Sequence, residues 1–195
     1  MCGIAGLLLN KKGSGLGVHE INALISQMTK TLSLRGPDGS GHFVKLPIAL
    51  GHRRLSILEL SDAGAQPMFL GPGRPVIVYN GECYNFQELR RELQNEGCSF
   101  RGTSDTEVVL QAYERWGLKG LTRLEGIFGL AIWDPSKERL VLMRDRLGVK
   151  PLFYGQSKHG LVFGSEIKAL REAKGLDMSL DDQALSEYLW YGNAY

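Results

Sequence analysis

Met1-Cys2-Gly3-Ile4-Ala5-Gly6-Leu7-Leu8-Leu9 opens the chain, and Asn10-Lys11-Lys12 ends the apolar run. A short continuous apolar run bounded by polar residues reads as a buried strand over residues 2–9. Gly3 and Gly6 mark places where other atoms must approach the strand closely. The run lacks a positive leading region, and no Sec-type cleavage pattern follows, so it is not a secretion signal. Its second residue carries chemistry. If Met1 is clipped, Cys2 supplies a thiol and a free α-amine together. An α-amine has an ordinary pKa of about 7.7–8, so it accepts a proton near neutrality, where a lysine amine (about 10.4) does not. A terminal amine acting as base for its own nucleophile is an established arrangement. Taken alone, the dipeptide favours a small apolar residue opening a buried strand; the rest of the chain decides.

Outward from this strand, Val18 to Leu34 carries Ile21, Leu24, Ile25, Met28 and Leu32 at helical spacing. Arg35-Gly36-Pro37-Asp38-Gly39 is a turn on composition. Strands are expected at His42–Val44, Ile48–Ile57 and Val76–Tyr79. Asn85 followed by Glu88 predicts a capped helix to about Glu96, stopped by Gly97. A second helix runs from Ser104 or Asp105 to Trp116-Gly117. Glu125–Arg144 reads as a hairpin turning at Asp134-Pro135-Ser136-Lys137, and Leu152–Tyr154 pairs with Leu161–Gly164. A short helix follows at Ile167–Leu170, and Ser179 is expected to cap a last one ending near Leu189. Hairpin-rich strands with helices in blocks argue an α+β class, with antiparallel sheets covered by helices.

The 195 residues suggest one domain, or one domain with a tail, and 43% hydrophobic residues suffice for a sizeable core. A net charge of +2 without a long basic run excludes a nucleic-acid footprint. No apolar stretch is long enough to span a membrane. Cys2, Cys83 and Cys98 fit neither a disulfide framework nor a zinc pattern, which points to a reducing, cytoplasmic setting. Cys83 and Cys98 read as core or structural positions. His19, His42, His52 and His159 show no paired metal-ligand spacing, so no metal site is expected.

Several further motifs occur in order: Arg35-Gly36-Pro37-Asp38, His52-Arg53-Arg54-Leu55-Ser56-Ile57, Asn80-Gly81-Glu82-Cys83-Tyr84-Asn85, Ser104-Asp105-Thr106-Glu107, Arg144-Asp145-Arg146-Leu147-Gly148-Val149-Lys150-Pro151-Leu152 and Ser165-Glu166-Ile167-Lys168-Ala169-Leu170. With the opening Met1-to-Gly6 motif, they make the chain resemble the class II glutamine amidotransferase domain of glutamine-hydrolysing asparagine synthetases, from Met1 to about Leu189. The resemblance implies an N-terminal-nucleophile hydrolase fold, a four-layer αββα sandwich with two packed antiparallel sheets. It divides the chain into a glutaminase domain over residues 1–178 and, over 179–195, the start of a linker or helix leading to an ATP-dependent synthetase domain that lies outside this sequence. Branches that make aminosugars or purine precursors match the His52-to-Ile57 and Ser165-to-Lys168 segments less well.

The resemblance implies hydrolysis of the L-glutamine side-chain amide. Cys2 would attack the carboxamide carbon, and the Asn80 amide and Gly81 N–H would hold the oxyanion. Read alone, Asn80-Gly81 is a hairpin-turn dipeptide. Glutamine's other end is a zwitterion, so its pocket needs a cation and an anion. Arg54 can take the α-carboxylate with two prongs, as Lys cannot, and Asp105 can take the α-ammonium. Leu55, Ser56, Ile57 and Leu58 would line the site, with Glu82 also touching substrate. Arg35 and Asp38 either brace the nucleophile's loop or form a plain turn. The segment from Arg144 to Pro151 would shape the side facing a synthetase partner, where ammonia leaves. No cofactor is expected for the glutaminase step; ATP and magnesium belong to the synthetase domain, present in cis or in trans. A homodimer stays open as an assembly. So do a catalytically silent glutamine-binding module of the same fold and a synthetase amidating another carboxylate.

Overall fold

The structure, a computed structural model, describes residues 1–10, 15–57 and 59–192. The opening run forms β1 (Gly3–Leu9), the middle strand of a five-stranded antiparallel sheet. Its neighbours are β3 (Ile48–Arg54) and β9 (Gly160–Gly164), with β2 (Gly39–Lys45) and β8 (Phe153–Ser157) at the edges. Side chains alternate along a strand. Ala5, Leu7 and Leu9 therefore face one way, against Ile21, Ile25 and Met28 of α1 (Val18–Thr31) and Ala169 of α5 (Ile167–Arg171). Ile4 and Leu8 face the other way, into a second apolar layer. Gly6 lies opposite Phe163 of β9, and a Cβ there would come within 2.1 Å of the phenyl ring. The close approach expected at Gly6 is thus made by an aromatic ring of the same sheet.

The second sheet is also antiparallel and runs β4 (Met68–Phe69), β5 (Val76–Cys83), β6 (Gly126–Asp134), β7 (Arg139–Arg144). Val76, Val78, Ala131 and Trp133 meet Ile4, Leu50 and Phe163 between the sheets. On its far face, Ile77, Tyr79, Leu130 and Ile132 pack on α2 (Phe86–Asn95), α3 (Asp105–Trp116) and α4 (Leu118–Thr122). The result is helices, sheet, sheet, helices: the expected αββα layering. A final helix, α6 (Asp182–Tyr191), has no buried residue.

Boundaries differ where neighbouring strands decide them. β3 stops at Arg54 rather than Ile57, because its partners in β1 and β2 begin opposite Arg53 and Arg54. β5 continues past Tyr79 through Asn80 and Gly81 to Cys83, since β6 pairs with it as far as Gly126. The turn reading of Asn80-Gly81 is overturned. α1 ends at Thr31, three residues before Leu34. The side chain of Asn85 does not cap α2: its Oδ1 accepts from Glu125 N at 3.1 Å, and its Nδ2 donates to Arg123 O. Asp181, not Ser179, caps α6, accepting from Gln183 N and Ala184 N. Short elements without a local signal, β4, α4 and a 3-10 turn at Asp62–Gly64, were not expected. Leu58 and residues 193–195, on which some expectations fall, lie outside the described residues.

His52 is 1% exposed between the sheets. Its Nε2 lies 3.3 Å from Tyr79 O, so Nε2 carries the proton and donates, and Nδ1 has no partner among the described residues. Burial, reinforced by Arg54 and opposed by the Tyr79 hydrogen bond, pushes its pKa down to about 4. An unfolded histidine titrates near 6.5. Above that pH both states are neutral and stability is full. As pH falls from about 6.5 to 4, only the unfolded state gains the proton, so stability declines by up to about 3 kcal/mol. Urea unfolding across this range should show that decline, and His52→Gln should remove the corresponding part of the slope.

Candidate active site

The alternation that builds the inter-sheet layer also selects its polar end. Extending β1 backwards puts Cys2 on the same side as Ile4. Along β3 the sequence Ile48, Leu50, His52 leads to Arg54; along β5, Val76 and Val78 lead to Asn80 and Glu82. Where β1 begins and β3 ends, the layer opens into a cleft of about 220 Å³. Cys2, Arg54, Asn80, Gly81, Glu82 and Asp105 all line it. So do Leu55, Ser56 and Ile57 of the loop leaving β3, while Leu58 is outside the described residues. Glu59, Gln66, Tyr79 and Lys150 line it too and were not expected to. Lys150 lies within one of the recognised motifs, Tyr79 adjoins Asn80 on β5 and Glu59 follows the loop segment that leaves β3, whereas Gln66 comes in from the connection before β4.

Cys2 is half-buried. Leu55 N donates to its Sγ at 3.4 Å, and the thiol faces Leu55 O at 3.6 Å. Burial pushes the thiol pKa up; Asp105 adds to this, and the Leu55 contact, the N-terminal ammonium and Arg54 oppose it. The sulfur is therefore a thiol at neutral pH and needs a base to react. Arg35 Nε donates to Cys2 O at 2.9 Å and its Nη1 pairs with Glu166 at 3.1 Å. Asp38 accepts from Ser56 N at 2.8 Å and donates its own N–H to Arg54 O at 3.0 Å. Arg35 and Asp38 thus brace the Cys2 backbone and the loop beside it, more than a plain turn would.

Arg54 commits Nη2 to the carbonyl oxygens of Glu59 and Ser61. Its Nε and Nη1 have no protein acceptor among the described residues, leaving a cation with spare donors on the cleft wall. Glu59 fixes the loop from the other side. Its carboxylate accepts from the Ser61 hydroxyl at 2.7 Å and from Thr103 N and Oγ1 at 3.1 and 2.9 Å, and these donors hold its pKa down to about 2. Asp105 opens α3 after the Ser104 cap. Its Oδ2 accepts from Cys83 N at 2.9 Å and its Oδ1 from Thr106 N at 2.8 Å. Burial nevertheless raises its pKa, with Glu82 adding and the two N–H donors and the neighbouring Tyr79 hydroxyl opposing. Cys83 is buried core, as expected, and burial beside Asp105 pushes its thiol up to about 12.

β5 supplies two unused donors. Asn80 is 1% exposed, and its Nδ2 has no hydrogen-bond partner among the described residues. A buried unpaired amide calls for an occupant. Backbone groups alternate sides in an antiparallel ladder, and Tyr79 N and Cys83 N both point away from β6, to Gln66 and Asp105. Gly81 N–H points the same way, and among the described residues no side chain or loop carbonyl accepts it. The glycine itself answers to β6: a Cβ would lie 2.3 Å from Ile127 O and 2.5 Å from Phe128 Cβ.

Lys150 arrives on a loop ordered by one carboxylate. Asp145 accepts N–H groups from Phe128, Leu147, Val149 and Lys150 at 2.8–3.2 Å. Burial alone would raise its pKa; these donors together hold it below the usual carboxylate range. Arg144 closes the loop by donating to Lys150 O at 2.7 Å and to Gly148 O. Among the described residues, no three His, Cys, Asp or Glu side chains cluster as metal ligands, and no helix is long and apolar enough to cross a membrane.

The model of the glutamine amidotransferase domain family matches residues 1–194, and the chain belongs to that family. It is 40% identical over 195 residues to asparagine synthetase [glutamine-hydrolyzing] 3 of Bacillus subtilis, covering 98% of this chain and 31% of that protein. It is 36% identical to amidase chyE of Penicillium rubens, covering 97% of this chain and 29% of that one. The chain thus spans about a third of the length of these relatives. Among solved structures, glutamine phosphoribosylpyrophosphate amidotransferase of B. subtilis superposes with a TM-score of 0.72 at 21% identity, over 90% of this chain and 44% of that one. The fold is the N-terminal-nucleophile hydrolase sandwich.

Because β6 leaves no room for a Cβ at position 81, Gly81→Ala should destabilise the domain by about 1–3 kcal/mol, the usual cost of overpacking. The urea midpoint measures this. An unchanged midpoint would mean that β6 yields to the added methyl group.

Proposed function

We propose that this glutamine amidotransferase domain hydrolyses the side-chain amide of L-glutamine through a thioester on Cys2 and delivers the ammonia to an ATP-dependent synthetase domain of the asparagine-synthetase type, in cis or in trans. The observation that carries the reading is the meeting of the Cys2 sulfur with the unpaired Asn80 amide and the open-edge Gly81 N–H in one cleft.

Removal of Met1 comes first. While Met1 is attached, the Cys2 nitrogen is an amide and takes no proton; Met1 is 55% exposed and lies at the cleft, accessible to an aminopeptidase. Once freed, the α-amine accepts the thiol proton, directly or through one water, and the thiolate attacks the carboxamide carbon. The C=O electron pair moves to oxygen, where Asn80 Nδ2 and Gly81 N–H donate to the oxyanion; one such donor is worth about 2.7–4 kcal/mol of barrier. The C–N bond then breaks, and the α-ammonium returns its proton so that neutral ammonia leaves. Water attacks the thioester, the C–S bond breaks, and glutamate departs.

Substrate is held by its far end. Arg54 offers its charge and the uncommitted Nη1 donors to the α-carboxylate, and Asp105, aided by Glu82, receives the α-ammonium. Leu55, Ser56 and Ile57 form the wall beside the side chain. The hydrolytic step needs no cofactor; ATP and magnesium serve the synthetase domain. The free thiols suit a reducing cytoplasm. A second acceptor chemistry is favoured by one observation, that a 36%-identical relative bears the name amidase. In that case the glutaminase step is the same and the amidated carboxylate differs.

Intact mass of the purified chain, read beside a glutamate-release assay, tests the scheme: hydrolysis should track the fraction lacking Met1. Cys2→Ala should reduce glutamate release to background with the fold retained, and continued turnover would falsify the nucleophile assignment. Arg54→Lys removes the guanidinium donor that faces the carboxylate while Nη2 holds the loop, and should raise the KM for glutamine roughly 10- to 100-fold, as expected for losing a charge-assisted hydrogen bond of about 1.5–3 kcal/mol. An unchanged KM removes Arg54 from the substrate pocket.

A further inference from the structure

β4 begins at Met68, opposite Ile77, so β5 has no strand partner on that side beyond Ile77. The next outward-facing backbone groups belong to Tyr79, and both are taken by side chains. Gln66 Oε1 accepts Tyr79 N–H at 2.6 Å, and His52 Nε2 donates to Tyr79 O at 3.3 Å. These side chains come from different places. His52 projects from β3 across the inter-sheet layer, and Gln66 lies on the connection before β4. Gln66 is anchored in turn, since its Nε2 donates to Thr106 Oγ1 at 3.3 Å, one residue after Asp105. Both residues are buried, at 1% and 9% exposure.

Tyr79 O belongs to the same peptide unit as the Asn80 N–H. Holding that unit anchors the backbone that enters the Asn80 Cα, and with the β6 register on the other side it limits how the Asn80 side chain and the following Asn80–Gly81 peptide, which carries the Gly81 N–H, can turn. On the other side of Gly81, Asp105 Oδ2 holds Cys83 N. The edge of β5 is thus gripped before and after the one N–H left open. A hydrogen bond in β4's place would have continued the sheet and closed this edge; side-chain partners satisfy Tyr79 and stop there.

We propose that His52 and Gln66 form a two-sided clamp on the Tyr79 backbone that positions the Asn80 amide and the Gly81 N–H, making both of them positioning residues for glutamine hydrolysis. The inference rests on the oxyanion reading given above. It assigns a task to a buried histidine that reaches neither substrate nor metal, and it links the oxyanion donors to Asp105 through Gln66 and Thr106. The clamp acts on the transition state. It leaves Arg54 and the Asp105 carboxylate, which hold the bound substrate, in place.

The test compares His52→Leu, Gln66→Met and His52→Gln in the Met1-free chain. Glutamine's Nε2 reaches the place of the histidine Nε2 and restores the N–H. Active sites are counted by alkylation of Cys2 with a chloroketone analogue of glutamine, so that misfolded protein does not enter kcat. Misplacing donors by a fraction of an ångström to 1 Å should lower kcat per alkylated site by about 10- to 100-fold in His52→Leu and Gln66→Met. The KM should stay within about three-fold, because ground-state binding is untouched. His52→Gln should recover most of kcat. Unchanged kcat per site in His52→Leu and Gln66→Met overturns the clamp, as does a loss in His52→Gln as large as in His52→Leu. If His52→Leu does not fold, Gln66→Met decides by the same readout. Cys2→Ala that still hydrolyses glutamine removes the oxyanion reading itself. Cys2→Ala that is inactive, beside clamp variants of normal kcat, removes the clamp alone.

Discussion

The two-residue period of an extended chain is the constraint from which this molecule's site follows. In β1, β3 and β5, every second side chain points into the layer between the sheets. For most of each strand that layer is filled by Ile4, Leu50, Val76, Val78 and Phe163. At one end the same parity delivers Cys2, Arg54 and Asn80 in place of apolar residues. A register slip of one residue in any of the three strands would turn its polar member away from the cleft and towards the helices. The core therefore does more than stabilise: burial of the apolar positions fixes which face the polar ones occupy.

Two carboxylates then order the loops that rim the cleft, by different balances. Asp145 is buried, which works against its ionised form, yet four backbone N–H groups outweigh that cost and hold the charge. Glu59, only partly buried at the cleft rim, has little desolvation to overcome, and the donors of Ser61 and Thr103 act almost unopposed. In both cases a single side chain gathers backbone or hydroxyl donors from separated positions and so sets a loop conformation that the local sequence leaves open. Arg54 joins the Glu59 loop to β3 by reaching the Glu59 and Ser61 carbonyls.

The electrostatics of the cleft suit a nucleophile that must be switched on. Burial keeps the Cys2 sulfur protonated, and the adjacent positive groups only partly offset it. In the proposed reaction the missing ingredient is the α-amine that appears when Met1 leaves. The cleft also divides its charges: Arg54 stands on the β3 side, and Asp105 with Glu82 on the α3 and β5 side, as the zwitterionic end of the proposed substrate requires. Asp105 is held by Cys83 N and Thr106 N, so its position is set by backbone that β5 and α3 share.

The sequence by itself determined the class of the fold, most of its strands and helices, and the segments that meet at the cleft. These rest on local quantities: apolar periodicity, turn composition, and motif order. It named nine of the described cleft residues because each lies in a short motif that the family resemblance assigns to the site. It could not decide whether Asn80-Gly81 turns or extends, since that depends on β6 continuing to Gly126. Nor could it fix the end of β3, which the starts of β1 and β2 set. It had no means of finding the Glu59–Thr103 contact, or Gln66 and the task of His52, whose shared partner Tyr79 lies 13 and 27 residues away along the chain. The contacts of Gln66 and His52 exist only once the two sheets are stacked, because burial removes water as the alternative partner and leaves distant backbone groups to satisfy these side chains.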